Sequence, residues 1–266
     1  MAELKCTFKT DILFRTLFVQ YEYLLKQLVA KLLNIHFESI GEFEIINPNI
    51  PPDAIGDKDC RLDINMTIDN QRVDLEIQCE DEKNYPERSL YYWAREYSTA
   101  LGEGKNHLDL PRTIIISILG FKLFNRTNFH SEFQPLEVTD HTLLTNKMTL
   151  HYYELPKLPE ATDPNDELNL WLSLFKAETE EELAKLNAMG VPVIQEAINA
   201  YHKVTATDEF KELERQRHYA ALSRATALSN AEQEGYRKAE EKWQKVIADK
   251  DALIAKLQTQ LKKNNT

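Results

Sequence analysis

The sequence predicts an α/β fold, a mixed central sheet flanked by helices with a helical carboxyl-terminal region. Three observations carry that expectation: an alternating hairpin within residues 59–80, a near-continuous β-branched run at Thr113–Leu119, and helical periodicity on either side of both. The resulting order through Leu119 is α, β, β, β, α, β.

Residues 12–34, ILFRTLFVQYEYLLKQLVAKLLN, repeat apolar side chains at helical spacing and predict one core helix ending near Asn34. EFEIIN at 42–47 predicts a first strand, and three prolines and a glycine from Pro48 to Asp57 predict a loop. In the hairpin, Leu62, Ile64, Met66 and Ile68 alternate with Asp63, Asn65 and Thr67. After Asp69-Asn70, Val73, Leu75 and Ile77 alternate with Asp74, Glu76 and Gln78. Both runs predict half-buried strands. With Asp69 and Asn70 as the central residues of a tight turn, Ile68 faces Gln71 and Asp63 faces Glu76. The same register sets Cys60 against Cys79 on the apolar side as buried free thiols; a three-residue loop would shift the pairing and separate the acids.

Pro86 near the start of 86–101 predicts the next helix. TIIISIL at 113–119 suits a strand buried on both faces. Weaker alternation in LEVTD and TLHYYEL, within 129–155, predicts one or two edge strands, and Pro156 to Pro164 breaks the chain. Helical patterns follow in ELNLWLSLFKA, EEELAKLNAMG with a stop at Gly190, and VPVIQEAINAYHKV, where Trp171 and Phe175, four residues apart, read as core contacts. In the tail, Ile247, Ile254 and Leu261 recur every seven residues, with Trp243 and Leu257 at complementary positions and Lys250 interrupting them. A coiled coil that pairs two copies and a single solvated or docked helix both fit.

The facing acids carry chemistry. Like charges directly opposite on neighbouring strands repel, and a divalent cation offsets that repulsion, since hard ions such as Mg2+ take carboxylate oxygens together with substrate phosphate. Two solvated, salt-screened acids on an exposed sheet face are the alternative. Gln78 falls on the side of Glu76 and completes a D…ExQ pattern.

Asp63 followed by Glu76-Ile77-Gln78 resembles the PD-(D/E)XK nuclease core in its ExQ variant, and the surroundings resemble the Rpn family of recombination-promoting nucleases and transposases. The resemblance includes Thr10-Asp11-Ile12-Leu13-Phe14-Arg15-Thr16-Leu17-Phe18, then Glu87 to Tyr97 (ERSLYYWAREY), then Leu170 to Lys176 (LWLSLFK), and a charged helical tail. It implies a restriction-endonuclease-like core over 1–160, a helical extension over 161–230 and a helical tail over 231–266. It also implies a DNA endonuclease acting in recombination or transposition, with Asp63, Glu76 and the Ile77 carbonyl holding Mg2+, or Mn2+ or Ca2+ in its place. Asp11 is then an accessory acid or a helix cap.

The chain departs from the family pattern at three points, the first being Arg15, where the pattern usually has lysine. Arg61-Leu62 stands where Pro-Asp would precede the first acid, and Pro52-Asp53 upstream reads as a loop decoy. Gln78 replaces the lysine, and glutamine orients groups but supplies no charge. Arg88, Arg95 and Lys83 are the candidate substitutes, with Arg88 favoured. A nuclease-fold protein that has lost catalysis and serves as an interaction or regulatory module is the alternative function.

Composition limits the remaining classes. No apolar run approaches the roughly 18 residues that span a bilayer, and acids interrupt the amino-terminal MAELKCTFKTDILF, so a cytoplasmic protein without membrane partners is expected. Three cysteines give no disulfide framework or zinc spacing, and seven glycines give no dinucleotide fingerprint; Gly102-Glu103-Gly104-Lys105 reads as a helix stop. The net charge of -11 opposes avid DNA binding. Residues 205–266 hold 12 Lys and Arg against 10 Asp and Glu, residues 1–204 hold 20 against 33, so the acidic excess belongs to the nuclease-like part.

Overall fold

A computed structural model describes residues 2–46, 49–50, 60–61, 63–101 and 106–264. The pairs Pro52-Asp53 and Gly102-Glu103-Gly104-Lys105 lie outside them. The chain divides into two compact units, residues 1–207 and residues 208–266.

The first unit is built on a six-stranded mixed sheet. Its strands are β1 (Phe43–Ile46), β4 (Ile64–Ile68), β5 (Gln71–Gln78), β6 (Thr113–Leu119), β7 (His130–Phe133) and β8 (Met148–Glu154), in the order β1-β4-β5-β6-β8-β7. The pairs β5-β6 and β6-β8 are parallel and the outer pairs antiparallel. A parallel neighbour needs a crossover, and α3 (Tyr85–Thr99) supplies the one from β5 to β6. All seven residues of β6 are buried, as its β-branched run predicts. A separate two-stranded ribbon pairs β2 (Asn49–Ile50) with β3 (Cys60–Arg61).

The hairpin forms in the expected register. Ile68 pairs with Gln71, Met66 with Val73 and Ile64 with Leu75. Asp69 and Asn70 have φ of 47° and 64°, the left-handed pair that a two-residue hairpin turn requires and that Asp and Asn tolerate. The ladder ends at Ile64, however, and Cys60 pairs with Ile50 in the ribbon rather than lying opposite Cys79. Cys79 is exposed and its Sγ donates to the Lys9 carbonyl at 3.3 Å, because the chain leaves the sheet after Gln78.

The expectation of half-buried strands is corrected as well. Asn65, Asp74 and Glu76 are buried along with their apolar neighbours, because α3 lies over the polar face. Trp93 Nε1 donates to the Thr113 carbonyl, Tyr85 Oη to Ser117 Oγ, and Asn65 Nδ2 to Glu96 Oε1. Tyr85, Ile115, Leu119, Leu150 and Tyr152 form the apolar cluster on that side.

The opposite face is closed by helices. The expected single helix over 12–34 is two, α1 (Asp11–Gln20) and α2 (Glu22–Leu32), broken at Tyr21 with φ -116° and ψ 64°. The break lets α1 pack on α6 (Pro192–Ala206) while α2 packs on α4 (Glu167–Lys176). Asn34, at φ 53°, ends α2 as expected: its N–H donates to the Lys31 carbonyl and that of Ile35 to the Ala30 carbonyl, a Schellman closure. Phe8, Phe14, Phe18, Trp171 and Phe175 pack ring against ring, so Trp171 and Phe175 are core residues.

TLHYYEL becomes β8, an interior strand rather than an edge, with β7 outside it. LEVTD forms no strand, since Glu137 Oε2 accepts from the N–H groups of Thr139 and Asp140 and closes a turn. After α4, α5 (Glu180–Ala188) begins in a capping box of Thr179 and Glu182 and stops before Gly190, at φ 75°. The second unit is one helix, α7 (Asp208–Asn264). Among the described residues, no helix is long and apolar enough to cross a membrane.

Candidate active site

The hairpin brings Asp63 and Glu76 together where the ladder stops. The Asp63 N–H donates to Glu76 Oε1 at 2.8 Å, and the Ile77 N–H donates to Asp63 Oδ2 at 2.8 Å. Each carboxylate therefore takes a backbone donor on the other strand, and the crossed bonds replace the next rung of the sheet. Asp74 lies two pairs further in, opposite Asn65 and on the same face. Along this polar face Asn65 and Asp74 are 1% exposed and Glu76 6%, while Asp63 and Gln78 are half-buried. The row opens toward the carboxyl end of β5.

Burial governs its ionisation. Desolvation raises the Asp63 carboxyl to about 6 against the pull of the Ile77 N–H, with Asp11 adding upward pressure and Arg15 and Arg88 opposing it. Desolvation also raises Glu76, to about 8, reinforced by the Asp63 charge and opposed by the Asp63 N–H and Arg88. Asp74 is raised well above the carboxylate range by burial and then by Glu76, Asp63 and Glu96. Neither Asp74 oxygen has a donor facing it, and its contact with the Glu76 carboxyl becomes a hydrogen bond only when one of the two carries a proton. Near neutral pH, the row holds protons that a cation would displace.

Gln78 and Arg88 close the open end. Arg88 Nη2 donates to Gln78 Oε1 at 2.5 Å and Nη1 to Glu82 Oε2 at 2.9 Å, and the guanidinium lies 4.8 Å from the centre of the Tyr85 ring. The other candidate cations are placed differently. Lys83 pairs with Asp81 in the exposed connecting loop, and Arg95 is buried along α3. Asp11 is the first residue of α1, behind Thr10 at the cap position, and acts on Asp63 through its charge, as does Arg15 one turn later.

The sequence pattern places Asn65 and Asp74 on the polar face of the hairpin but assigns no site role to them or to Glu96. Asp74 is on the same strand face two residues before Glu76, so its period was a usable signal. Glu96 had none, because its bonds to Asn65 (2.5 Å) and Arg72 (3.2 Å) depend on how α3 lies across the sheet.

The donor set suits a hard divalent ion: two facing carboxylates with a third acid behind them and a carbonyl, that of Ile77, in the same stretch. Among the described residues, no three or more His, Cys, Asp or Glu side chains are already gathered around one point. A cavity of about 680 Å3 lined by Lys31, His130, Glu132, His151, Tyr153 and Glu167 is on the other face of the sheet and contains none of the acid row. Its polar groups answer one another, His130 Nε2 to His151 Nδ1 at 3.0 Å and Lys31 to Glu167 at 2.8 Å.

Comparison with known proteins gives one result on this geometry. Residues 8–231 match the family model of the PD-(D/E)XK nuclease family transposases. No curated protein and no solved structure matches the chain. The family match takes in the sheet, the acid row, Arg88 and helices α1 to α6, and the chain belongs to the PD-(D/E)XK nuclease family transposases.

Proposed function

We propose that the protein is a metal-dependent DNA endonuclease that hydrolyses phosphodiester bonds in the recombination or transposition of mobile elements. The observation that carries this reading is the crossed pair of hydrogen bonds holding Asp63 and Glu76 against each other, with the Arg88 guanidinium at the open end of the same face. Asp63, Glu76 and the Ile77 carbonyl would hold Mg2+, or Mn2+ or Ca2+ in its place. The ion, when bound, supplies an acidified water and offsets charge on the scissile phosphate. Asp63 and Glu76 give up their protons on binding, and the backbone N–H groups of Ile77 and Asp63 keep the emptied carboxylates aimed. Arg88 holds phosphate charge, and Asp11 adds negative charge on the Asp63 side. DNA is the substrate, and the compartment is the cytoplasm.

Purified protein is expected to nick supercoiled plasmid in Mg2+, and to lose that activity with EDTA and in Asp63→Ala and Glu76→Ala. Cleavage that survives both substitutions removes the site from the mechanism. Transposition additionally requires strand joining, which a donor duplex with a free 3′ end would report.

A second reading is an interaction or regulatory module built on the same fold. The net charge of -11 and the exposed apolar residues of α7 favour it. A calorimetric titration without Mg2+ or Mn2+ heat, together with a stable dimer or hetero-complex, would select this reading.

A further inference from the structure

Gln78 has both ends of its amide committed, and the partners fix which end is which. The Glu80 carbonyl only accepts, so the group 2.8 Å from it is Nε2; Arg88 only donates, so the group 2.5 Å from Nη2 is Oε1. These two bonds orient the amide, and its acceptor end fixes one arm of the guanidinium. Glu82 fixes the other arm, and the guanidinium carbon lies over the rings of Tyr85 and Tyr92, 4.8 and 6.0 Å from their centres. Arg88 is thus held on three sides against Gln78, which lies two residues along the strand face from Glu76.

We propose that Gln78 is a positioning residue for Arg88, and that the tethered guanidinium is the cation that meets the scissile phosphate in place of a lysine at position 78. This rests on the nuclease reading above and adds what holds its charged group in place.

Chemical matching explains the pairing. A lysine at 78 could satisfy the Glu80 carbonyl but would offer Arg88 no acceptor and would repel it. Lysine at 78 and arginine at 88 are therefore alternatives, whereas glutamine at 78 and arginine at 88 are partners. Guanidinium stays charged at any working pH and presents a fork that fits phosphate oxygens, so its fixed placement supplies the positive charge the neutral amide lacks.

The test is an exchange of the cation between the two positions in the full chain. Wild type, Arg88→Ala, Gln78→Ala and the double variant Gln78→Lys/Arg88→Ala are compared for plasmid nicking in Mg2+ and for binding of a fluorescent duplex in Ca2+, with Mn2+ heat and melting temperature recorded for each. Arg88→Ala is expected to lower kcat about 100-fold, in the range for loss of one preorganised charge partner. Gln78→Ala should fall less, and the double variant should recover at least ~10-fold over Arg88→Ala, a rescue that a purely structural arginine would not allow. Folded, Mn2+-binding Arg88→Ala with near wild-type kcat overturns the proposal, as does a folded double variant no better than Arg88→Ala. A wild type that never nicks DNA removes the nuclease reading instead. Duplex binding then decides: a loss in Arg88→Ala that the double variant restores supports the tethered cation, and unchanged binding overturns it.

Discussion

At the scale of single residues, burial decides how the acid row behaves. Asp63 and Glu76 have carboxyls raised to about 6 and about 8, so the folded chain binds more protons than the unfolded chain from the ordinary carboxylate range up to those values. Their contribution to stability is thus fully present below about pH 4 and is lost as pH rises toward 8. Each pH unit between folded and unfolded pKa is worth ~1.4 kcal/mol. Other groups add their own slopes, so the difference between variants isolates this one. Asp74→Asn keeps a donor toward Glu76 without an ionisable proton, and metal-free Asp74→Asn is expected to melt higher than wild type at pH 8, with the difference shrinking as pH falls toward the ordinary carboxylate range. Equal melting at pH 8 would mean that the row carries no such strain. Mg2+ should raise the wild-type melting temperature more at pH 8 than at pH 6, because fewer protons then need displacing.

At the scale of elements, local punctuation was legible and packing geometry was not. Gly190 stops α5 at φ 75° with open space around a hypothetical Cβ, so Gly190→Ala tests backbone preference alone and should cost about 1 kcal/mol in urea unfolding. No loss would mean that the helix ends for another reason. Such stops, the Asp69-Asn70 turn and the β6 run could be read directly because the deciding residues are adjacent in sequence. The same turn chemistry fixed the register and so placed Asp63 against Glu76 before any fold was known. The break at Tyr21 could not be read, since it accompanies α1 packing on α6 while α2 reaches α4 as well as α6. Nor could the burial of Asp74 or the Asn65-Glu96 bond, because alternation alone cannot tell a solvated polar face from one roofed by a helix. Trp171 could be read as core from its spacing, and Trp171→Ala, removing a side chain with no exposed surface, should cost about 3–5 kcal/mol by denaturant unfolding.

At the scale of the whole molecule, α7 is the element without a settled partner. It runs 57 residues, roughly 85 Å at the helical rise, and Trp243, Ile247, Ile254 and Leu257 are exposed along it at heptad spacing. A second copy paired through this stripe would bury it, and two active sites would suit cleavage of two strands. The full chain is expected to sediment as a dimer, and Ile247→Asp with Ile254→Asp to give a monomer with unchanged Mg2+ binding. A wild type that is monomeric at tens of micromolar leaves the helix to another partner. On the proposed function, the acidic balance of residues 1–204 would make duplex affinity depend on the metal and the local cation, so binding without divalent ions should be weak.

The metal itself is the most direct test. Wild-type protein titrated with Mn2+ by calorimetry near pH 7.5, in two buffers of different ionisation enthalpy, should give saturable heat that differs between the buffers, because Asp63 and Glu76 release protons on binding. Asp63→Ala and Glu76→Ala, folded to the wild-type melting profile, should abolish it. Heat that persists in both variants would place the ion elsewhere and contradict the assignment of Asp63 and Glu76 as its ligands.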